Sequence, residues 1–281
     1  MAIIQSEYYS MTMCGFVSFS AVLPIDLPPT ATLPPRYAGG PWPTLYLLHG
    51  FSGARNDWLK NSPVEMLAAQ YGIAVIMPDG GNRFWIDNPE TGVRAGEFLG
   101  RELVEVTRGM FNLSRRREDT LIGGLSMGGY GAIRNGLKYH DTFSTILAFS
   151  SALITNAYIH GEFDERPEMG LPSSYYFHVF GPKEQVAGSD VDPAALAEKS
   201  LGNSAPALFM ACGSEDFLFS RNTELHDALT AMGYPHEWWV EPGIHNFDFW
   251  NRAIRAGLAW WDKQRKKAGD ADSAAREEVA P

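Results

Sequence analysis

Gly123-Gly124-Leu125-Ser126-Met127-Gly128-Gly129-Tyr130-Gly131 places a serine between glycines two residues away on either side. That spacing lets a chain turn sharply from strand into helix with Ser126 at the tip, because a side chain at Gly124 or Gly128 would collide with the neighbouring element at so tight a corner. The flanks agree. Thr120-Leu121-Ile122 is short and apolar like a buried strand, and Ala132-Ile133-Arg134-Asn135-Gly136-Leu137-Lys138 reads as helix. Taken alone, the same pattern also describes a plain glycine-rich turn. The two readings are separated by chemistry elsewhere in the chain. A serine hydroxyl becomes an effective nucleophile only with a histidine to take its proton, a carboxylate to orient that histidine, and amide donors for the developing oxyanion.

The 281 residues suffice for one large core, and α/β chains of this length commonly form a single domain. With 45% hydrophobic and 20% charged residues, the composition is that of a globular protein. A net charge of -10 opposes binding to a polyanion, so no nucleic-acid partner is expected. The two cysteines, Cys14 and Cys212, are far apart and lack metal-ligand spacing, which gives no reason to expect a disulfide, a metal or another cofactor. The N-terminus has no basic leader followed by an apolar core, and no apolar run is long enough to cross a bilayer. The expectation is a cytoplasmic protein with no membrane partner.

Along the chain, residues 3–13 and 16–23 carry β-formers on either side of Cys14-Gly15 and predict an antiparallel hairpin at a sheet edge. Proline and glycine crowd residues 24–43, which predicts a surface connection. Apolar strands are predicted at 44–48, 73–77, 143–150 and 206–212, with a last strand at 236–240. Helices are predicted from Ser62-Pro63 to Tyr71, over 94–111, over 222–232 and over 247–266. This alternation implies one α/β domain over residues 1–266, with a mostly parallel sheet, helices on both faces and an N-terminal antiparallel hairpin. Residues 267–281 are small and charged and read as a flexible tail. An aromatic-rich insertion at about 152–192 departs from the pattern. Its Tyr158, Phe163, Tyr175, Tyr176, Phe177 and Phe180 need a surface to cover. The choice lies between a lid or pocket wall and a contact in a homo-oligomer; the pocket is favoured because the segment emerges at the carboxyl edge of the sheet.

The remaining groups fall at that same edge. His49-Gly50-Phe51-Ser52-Gly53 follows the first central strand, and we assign the Phe51 amide as one oxyanion donor and the Met127 amide as the other. Gly213-Ser214-Glu215-Asp216-Phe217 follows a later strand. Asp216 is preferred as the acid, with adjacent Glu215 as its rival, and a helix cap is the alternative role for Asp216. His245, in the turn Pro242-Gly243-Ile244-His245-Asn246, completes the order Ser, Asp, His. Trp85, in the loop after the strand at 73–77, is a candidate pocket wall together with Tyr175 and Phe177; packing of the loop is the competing role for Trp85.

The set His49-Gly50-Phe51-Ser52-Gly53, Gly124-Leu125-Ser126-Met127-Gly128-Gly129-Tyr130-Gly131, Gly213-Ser214-Glu215-Asp216-Phe217 and His245-Asn246-Phe247 resembles the tributyrin esterase branch of the esterase D-like α/β-hydrolases. That group is similar to S-formylglutathione hydrolases and to the feruloyl and acetyl xylan esterases of the first carbohydrate esterase family. The resemblance spans about residues 3–265. It implies Ser126, Asp216 and His245 as a catalytic triad, the Phe51 and Met127 amides as the oxyanion hole, no cofactor, and a small-molecule ester as substrate. The expected reaction is hydrolysis of short acyl esters, with acetyl or hydroxycinnamoyl groups as candidates, through an acyl-enzyme. A thioesterase of the S-formylglutathione type is the second enzymatic expectation. A non-catalytic binding protein on the same fold is the third, and it gives no reason to keep the three reactive groups together.

Overall fold

The computed structural model describes residues 1–25, 40–165, 171–202 and 204–278. Most of the proline-rich connection expected at 24–43 lies outside the described residues. β1 (Ala2–Ser10) and β2 (Gly15–Leu23) form the expected hairpin, paired antiparallel from Ala2 opposite Leu23 to Ser10 opposite Gly15. β2 pairs antiparallel with β4 (Ala74–Pro78). Beyond it every pairing is parallel, through β3 (Thr44–Leu48), β5 (Thr120–Leu125), β6 (Thr145–Phe149), β7 (Ala207–Gly213) and β8 (His236–Glu241). The order across the sheet is β1-β2-β4-β3-β5-β6-β7-β8.

Every residue of β3, β4, β5 and β6 is buried. Continuous apolar runs are required when helices cover both faces of a parallel sheet. Alternate side chains divide the core into two layers. Tyr46, Leu48, Ile76, Ile122 and Ile146 pack with Tyr130, Ile133 and Leu137 of the elbow helix, Met127–Lys138. Leu45, Leu47, Val75, Leu121 and Leu147 pack with Phe249, Ile254 and Leu258 of the closing helix, Phe247–Glu278. The period-2 alternation of strand side chains is therefore what fixes which helix lies on which face.

Past the strand ends, backbone hydrogen bonds continue from loop to loop. The Ser126 N–H donates to Phe149 O at 2.9 Å, the Ser150 N–H to Ala211 O at 2.7 Å, the Ser214 N–H to Glu241 O at 3.0 Å, and the Glu215 N–H to Gly243 O at 3.1 Å. The segments after β5, β6, β7 and β8 are thereby held side by side at the carboxyl edge.

Several local expectations are corrected. A helix at Asp57–Asn61 precedes the one at Val64–Tyr71, and Ser62 closes the former instead of capping the latter, with its N–H and hydroxyl both bonded to Trp58 O. The helix expected over 94–111 is interrupted by a π-helical turn at Phe98–Glu102. The closing helix continues to Glu278, so the expected tail beginning at residue 267 is helical over most of its length. Ala268, Ala271, Ala274, Ala275, Lys267, Arg276, Glu277 and Glu278 are good helix formers, so the polarity of the stretch gave no reason to end the helix. Within the insertion lie helices at Thr155–Ile159, Glu162–Glu165 and Ser173–Phe180, and a further helix, Pro193–Ser200, follows it directly. Asp192 caps the last of these by accepting from Ala194 N and Ala195 N, a start signalled by Asp192-Pro193.

The insertion's aromatics cover each other. Tyr158, Phe163, Tyr176 and Phe180 are buried, with Phe163 stacked on Tyr176 at 4.5 Å and Tyr176 on Tyr158 at 6.3 Å. The expectation that these four need an outside surface to cover is thereby met within the chain, since their rings pack into the main core cluster.

The corner around Ser126 depends on backbone proximity. A Cβ added to Gly124 would lie 2.5 Å from Gly128 O, and one added to Gly128 would lie 2.5 Å from His49 O and 2.6 Å from Leu48 O. These atoms are all backbone, and the next met at Gly124 is Leu48 Cβ, so a rotamer change cannot relieve the clash. Gly128→Ala should therefore destabilise by about 1–3 kcal/mol or more, whereas Gly15→Ala, whose Cβ meets nothing within 4 Å, should stay within about 0.5 kcal/mol. Chemical denaturation of the two variants checks this, and equal losses would contradict the packing argument.

Candidate active site

Ser126 sits at φ 53°, ψ -118°, between the end of β5 and the first residue of the elbow helix. Few non-glycine residues adopt a positive φ, and such strain persists only where surrounding structure imposes it. Here hydrogen bonds impose it: the Ser126 N–H donates to Phe149 O, while its carbonyl accepts from Tyr130 N at 3.0 Å and Ala152 N at 2.9 Å. Only 9% of Ser126 is exposed, so its surroundings rather than bulk water govern its hydroxyl.

Asp216 lies in the loop after β7 and is 5% exposed. Its Oδ2 is 2.8 Å and its Oδ1 3.0 Å from Nδ1 of His245, in the loop after β8. A carboxylate only accepts, so this contact puts the ring proton on Nδ1 and leaves Nε2 of the neutral imidazole with a lone pair. Asp216 Oδ1 also accepts from Leu218 N at 2.9 Å. That bond closes a turn ahead of the helix Phe219–Ala231, whose N-terminus has no side-chain cap, so the alternative role of Asp216 as a helix cap is not the one it takes. Its rival Glu215 turns to the Gly243 N–H instead, and that hydrogen bond holds its carboxyl below the ordinary range. The His245 ring is flanked by exposed Phe217, centroids 4.6 Å apart, and by Trp250 edge-on at 4.9 Å.

The loop after β3 reaches Ser126 from the other side. A Cβ on Gly50 would be 3.4 Å from Ser126 Cβ, which sets the Gly50-Phe51 peptide beside the serine. Met127 opens the elbow helix, where an amide has no intrahelical acceptor. His49 supports this loop from beneath. Its Nε2 accepts from Gly80 N at 3.1 Å and its Nδ1–H donates to Gly50 O at 2.8 Å. Both nitrogens are thereby committed in one neutral tautomer, and burial pushes the His49 pKa down.

Two expected wall residues are placed elsewhere. Trp85 is 1% exposed and lies under the elbow helix: a Cβ on Gly131 would be 2.4 Å from its Cδ1, and one on Gly80 2.2 Å from its Cζ3. Its expected role as pocket wall is corrected to packing, because glycines on two elements leave a slot that its indole fills. Phe177 is 44% exposed on the outer side of its helix and lines a shallow cavity with Tyr158, Pro182 and Lys183; none of Ser126, Asp216 and His245 lines that cavity. Tyr175, by contrast, is brought to the site loops, its ring edge-on to Phe51 at 5.9 Å. Among the described residues no group of three or more His, Cys, Asp or Glu side chains is arranged to hold a metal ion.

A mostly parallel sheet with a strained serine at the strand-to-helix corner and a histidine-carboxylate pair on the following loops defines an α/β-hydrolase. Residues 20–261 match the family described as "Putative esterase", and the chain belongs to that family. It is 40% identical over 265 residues to an acetyl esterase of Caldicellulosiruptor saccharolyticus, covering 94% of this chain and 99% of the relative. Among solved structures it is similar to FphF, a fluorophosphonate-binding serine hydrolase of Staphylococcus aureus, with a TM-score of 0.76 and 26% identity, covering 92% of this chain and 98% of that one. The S-formylglutathione hydrolase FrmB of the same organism, as the apoenzyme, matches with the same TM-score, identity and coverage. The chain is a carboxylesterase of the serine hydrolase class. No helix among the described residues is long and apolar enough to cross a membrane.

Buried His49 is joined by His226, whose pKa is lowered first by burial and then by His236, 2.7 Å away between ring nitrogens. Both histidines bind a proton less readily folded than unfolded. As pH falls below the ordinary histidine value of about 6.5, the unfolded chain takes up protons first and the folded state loses stability until the folded values are passed. His49→Gln, which cannot ionise, should flatten part of this acid-side loss in melting temperature against pH. Parallel curves for variant and parent would contradict a buried neutral His49.

Proposed function

We propose that this esterase cleaves short acyl esters, acetyl esters foremost, through an acyl-enzyme on Ser126, with His245 as general base and then acid and Asp216 as the group that orients and stabilises its imidazolium. The observation that carries the reading is the two-oxygen contact of buried Asp216 with His245 Nδ1, set on loops stitched to the one that holds strained Ser126. Ser126 Oγ forms a bond to the ester carbonyl carbon while its proton passes to His245 Nε2, and the carbonyl electrons move to oxygen. The Phe51 and Met127 amides meet that oxyanion. The C–O bond to the alcohol then breaks as His245 returns the proton to the leaving oxygen, and water repeats the sequence to free the acid.

Acetyl preference is supported by the near full-length likeness to a relative named as an acetyl esterase. The second reading, a thioesterase acting on S-formylglutathione, is supported by the likeness to the staphylococcal enzyme of that name; hydroxycinnamoyl esters are a further candidate class within the same chemistry. A cytoplasmic setting belongs to this reading and is supported by two cysteines that remain free thiols.

A panel of p-nitrophenyl acetate, a longer acyl homologue, a feruloyl ester and S-formylglutathione separates these readings by kcat/KM. Acetyl ester should lead; a lead of tenfold or more for the thioester, equivalent to about 1.4 kcal/mol, would establish the second reading. Ser126→Ala should cost about 10⁴-fold or more in kcat, and Asp216→Asn about 10³–10⁴-fold. Glu215→Gln should stay near the parent, and a loss matching that of Asp216→Asn would contradict the choice of acid. Activity should decline on acidification, since a protonated His245 cannot accept the serine proton. A flat rate from mildly acid to mildly alkaline pH, with chemistry limiting, would contradict His245 as base.

A further inference from the structure

Gly50-Phe51-Ser52-Gly53 is a four-residue turn, closed by the Gly53 N–H donating to Gly50 O at 3.1 Å. Ser52, third in the turn, has φ 62°, while Phe51 is not among the residues with positive φ. Those signs make it a type II turn, a geometry that favours glycine at the third position and strains any other residue there. The alternative, type I, is reached by flipping the Phe51-Ser52 peptide. A serine at that position pushes the equilibrium toward the flip, so something must hold the peptide.

Two contacts do so. Asn82, in the loop after β4, accepts the Ser52 N–H with its Oδ1 at 2.8 Å, and that N–H belongs to the peptide that would flip. The Tyr175 hydroxyl donates to the Asn82 carbonyl at 2.9 Å. Tyr175 lies on the helix Ser173–Phe180 of the insertion, and its ring also packs edge-on to Phe51. Burial raises the Tyr175 pKa above the usual tyrosine value, so the phenol keeps its proton and remains a donor. Three segments far apart in sequence thus converge on the one peptide that follows the Phe51 amide.

We propose that Asn82 and Tyr175 are positioning residues that lock the Gly50-Gly53 turn in its strained form and so aim the Phe51 amide at the oxyanion. The inference rests on the Phe51 amide being an oxyanion donor, as set out above. An interaction that matters only when negative charge develops on the carbonyl oxygen lowers kcat while leaving ground-state binding nearly unchanged. Removal of a whole oxyanion donor costs about 10²–10³ in kcat, and misaiming one costs a part of that.

The test compares Asn82→Ala, Tyr175→Phe and Ser126→Ala with p-nitrophenyl acetate as substrate and an alkyl trifluoromethyl ketone as inhibitor. The ketone accepts the Ser126 oxygen at its carbonyl carbon, the carbonyl electrons become an oxyanion, and the serine proton goes to His245; its affinity therefore reads the oxyanion hole. Asn82→Ala should lose about tenfold or more in kcat, with KM within about twofold and ketone affinity weakened in parallel. Ser52→Gly added to Asn82→Ala should restore a large part of both, because glycine holds the positive φ without help. Tyr175→Phe, which keeps the ring on Phe51, should shift kcat and ketone affinity the same way by a smaller factor and serves where Asn82→Ala does not fold. Unchanged kcat and ketone affinity in Asn82→Ala and Tyr175→Phe, alongside an inactive Ser126→Ala, would overturn the positioning proposal alone. A rise in KM at constant kcat, or no restoration by Ser52→Gly, would do the same. Near-full activity in Ser126→Ala would instead overturn the reaction reading beneath it.

Discussion

Close approach of backbone to backbone at the corner after β5 is the constraint on which the rest of this structure depends. Gly124 meets Gly128, and Gly128 meets the carbonyls of Leu48 and His49, at distances that admit no side chain. This contact presses the elbow helix against the end of β3, and it brings the loop after β3 beside Ser126. The strained backbone of the serine, the Gly50-Phe51 peptide next to it and the exit of the elbow helix are consequences of one packing requirement. Loss of it would remove the geometry of the proposed nucleophile and of one proposed amide donor together.

On the other side of Ser126, the backbone bonds that run from loop to loop past β5, β6, β7 and β8 carry the same rigidity to Asp216 and His245. Electrostatics then separates groups that react from groups that support. Cys212, at the end of β7, is buried, and burial followed by the charge of Asp216 pushes its thiol up to about 12, so it stays protonated and inert beside the site. His49 is kept neutral by burial and by its two committed nitrogens. His245, by contrast, spends one nitrogen on Asp216 and keeps the other as an acceptor. Behind the elbow, Arg134 and Lys138 meet Asp190 and Asp87 and fasten the end of the insertion to the elbow helix. Burial opposes the charge of Asp190, yet the two cations together hold its carboxyl below the ordinary value.

The parallel sheet and the elbow were legible in the sequence because both are written locally, in apolar runs and in glycines that backbone contact makes obligatory. The choice between Glu215 and Asp216 was legible only as a preference, since adjacent side chains point apart and the deciding partner, His245, is 29 residues away from Asp216. For Trp85 the sequence left wall and packing open, because its burial depends on a slot made by Gly80 and by Gly131, on another element. The insertion's aromatics were read as needing a partner when they are partners for each other, a pairing that no periodicity announces. Asn82 carried no signal at all: its contacts with Ser52 and Tyr175 span 30 and 93 residues. The flexible tail expected from residue 267 was a reading of polarity, whereas the helix continues to Glu278.

The proposed reaction requires the fold to activate one serine, Ser126, through His245. Peptide mapping by mass spectrometry after brief exposure of the native enzyme to a fluorophosphonate tests it most directly. A single adduct on Ser126 is expected, formed much more slowly in His245→Ala, because an unassisted serine hydroxyl is a poor nucleophile. An adduct on another residue, or labelling of Ser126 at the same rate without His245, would contradict it.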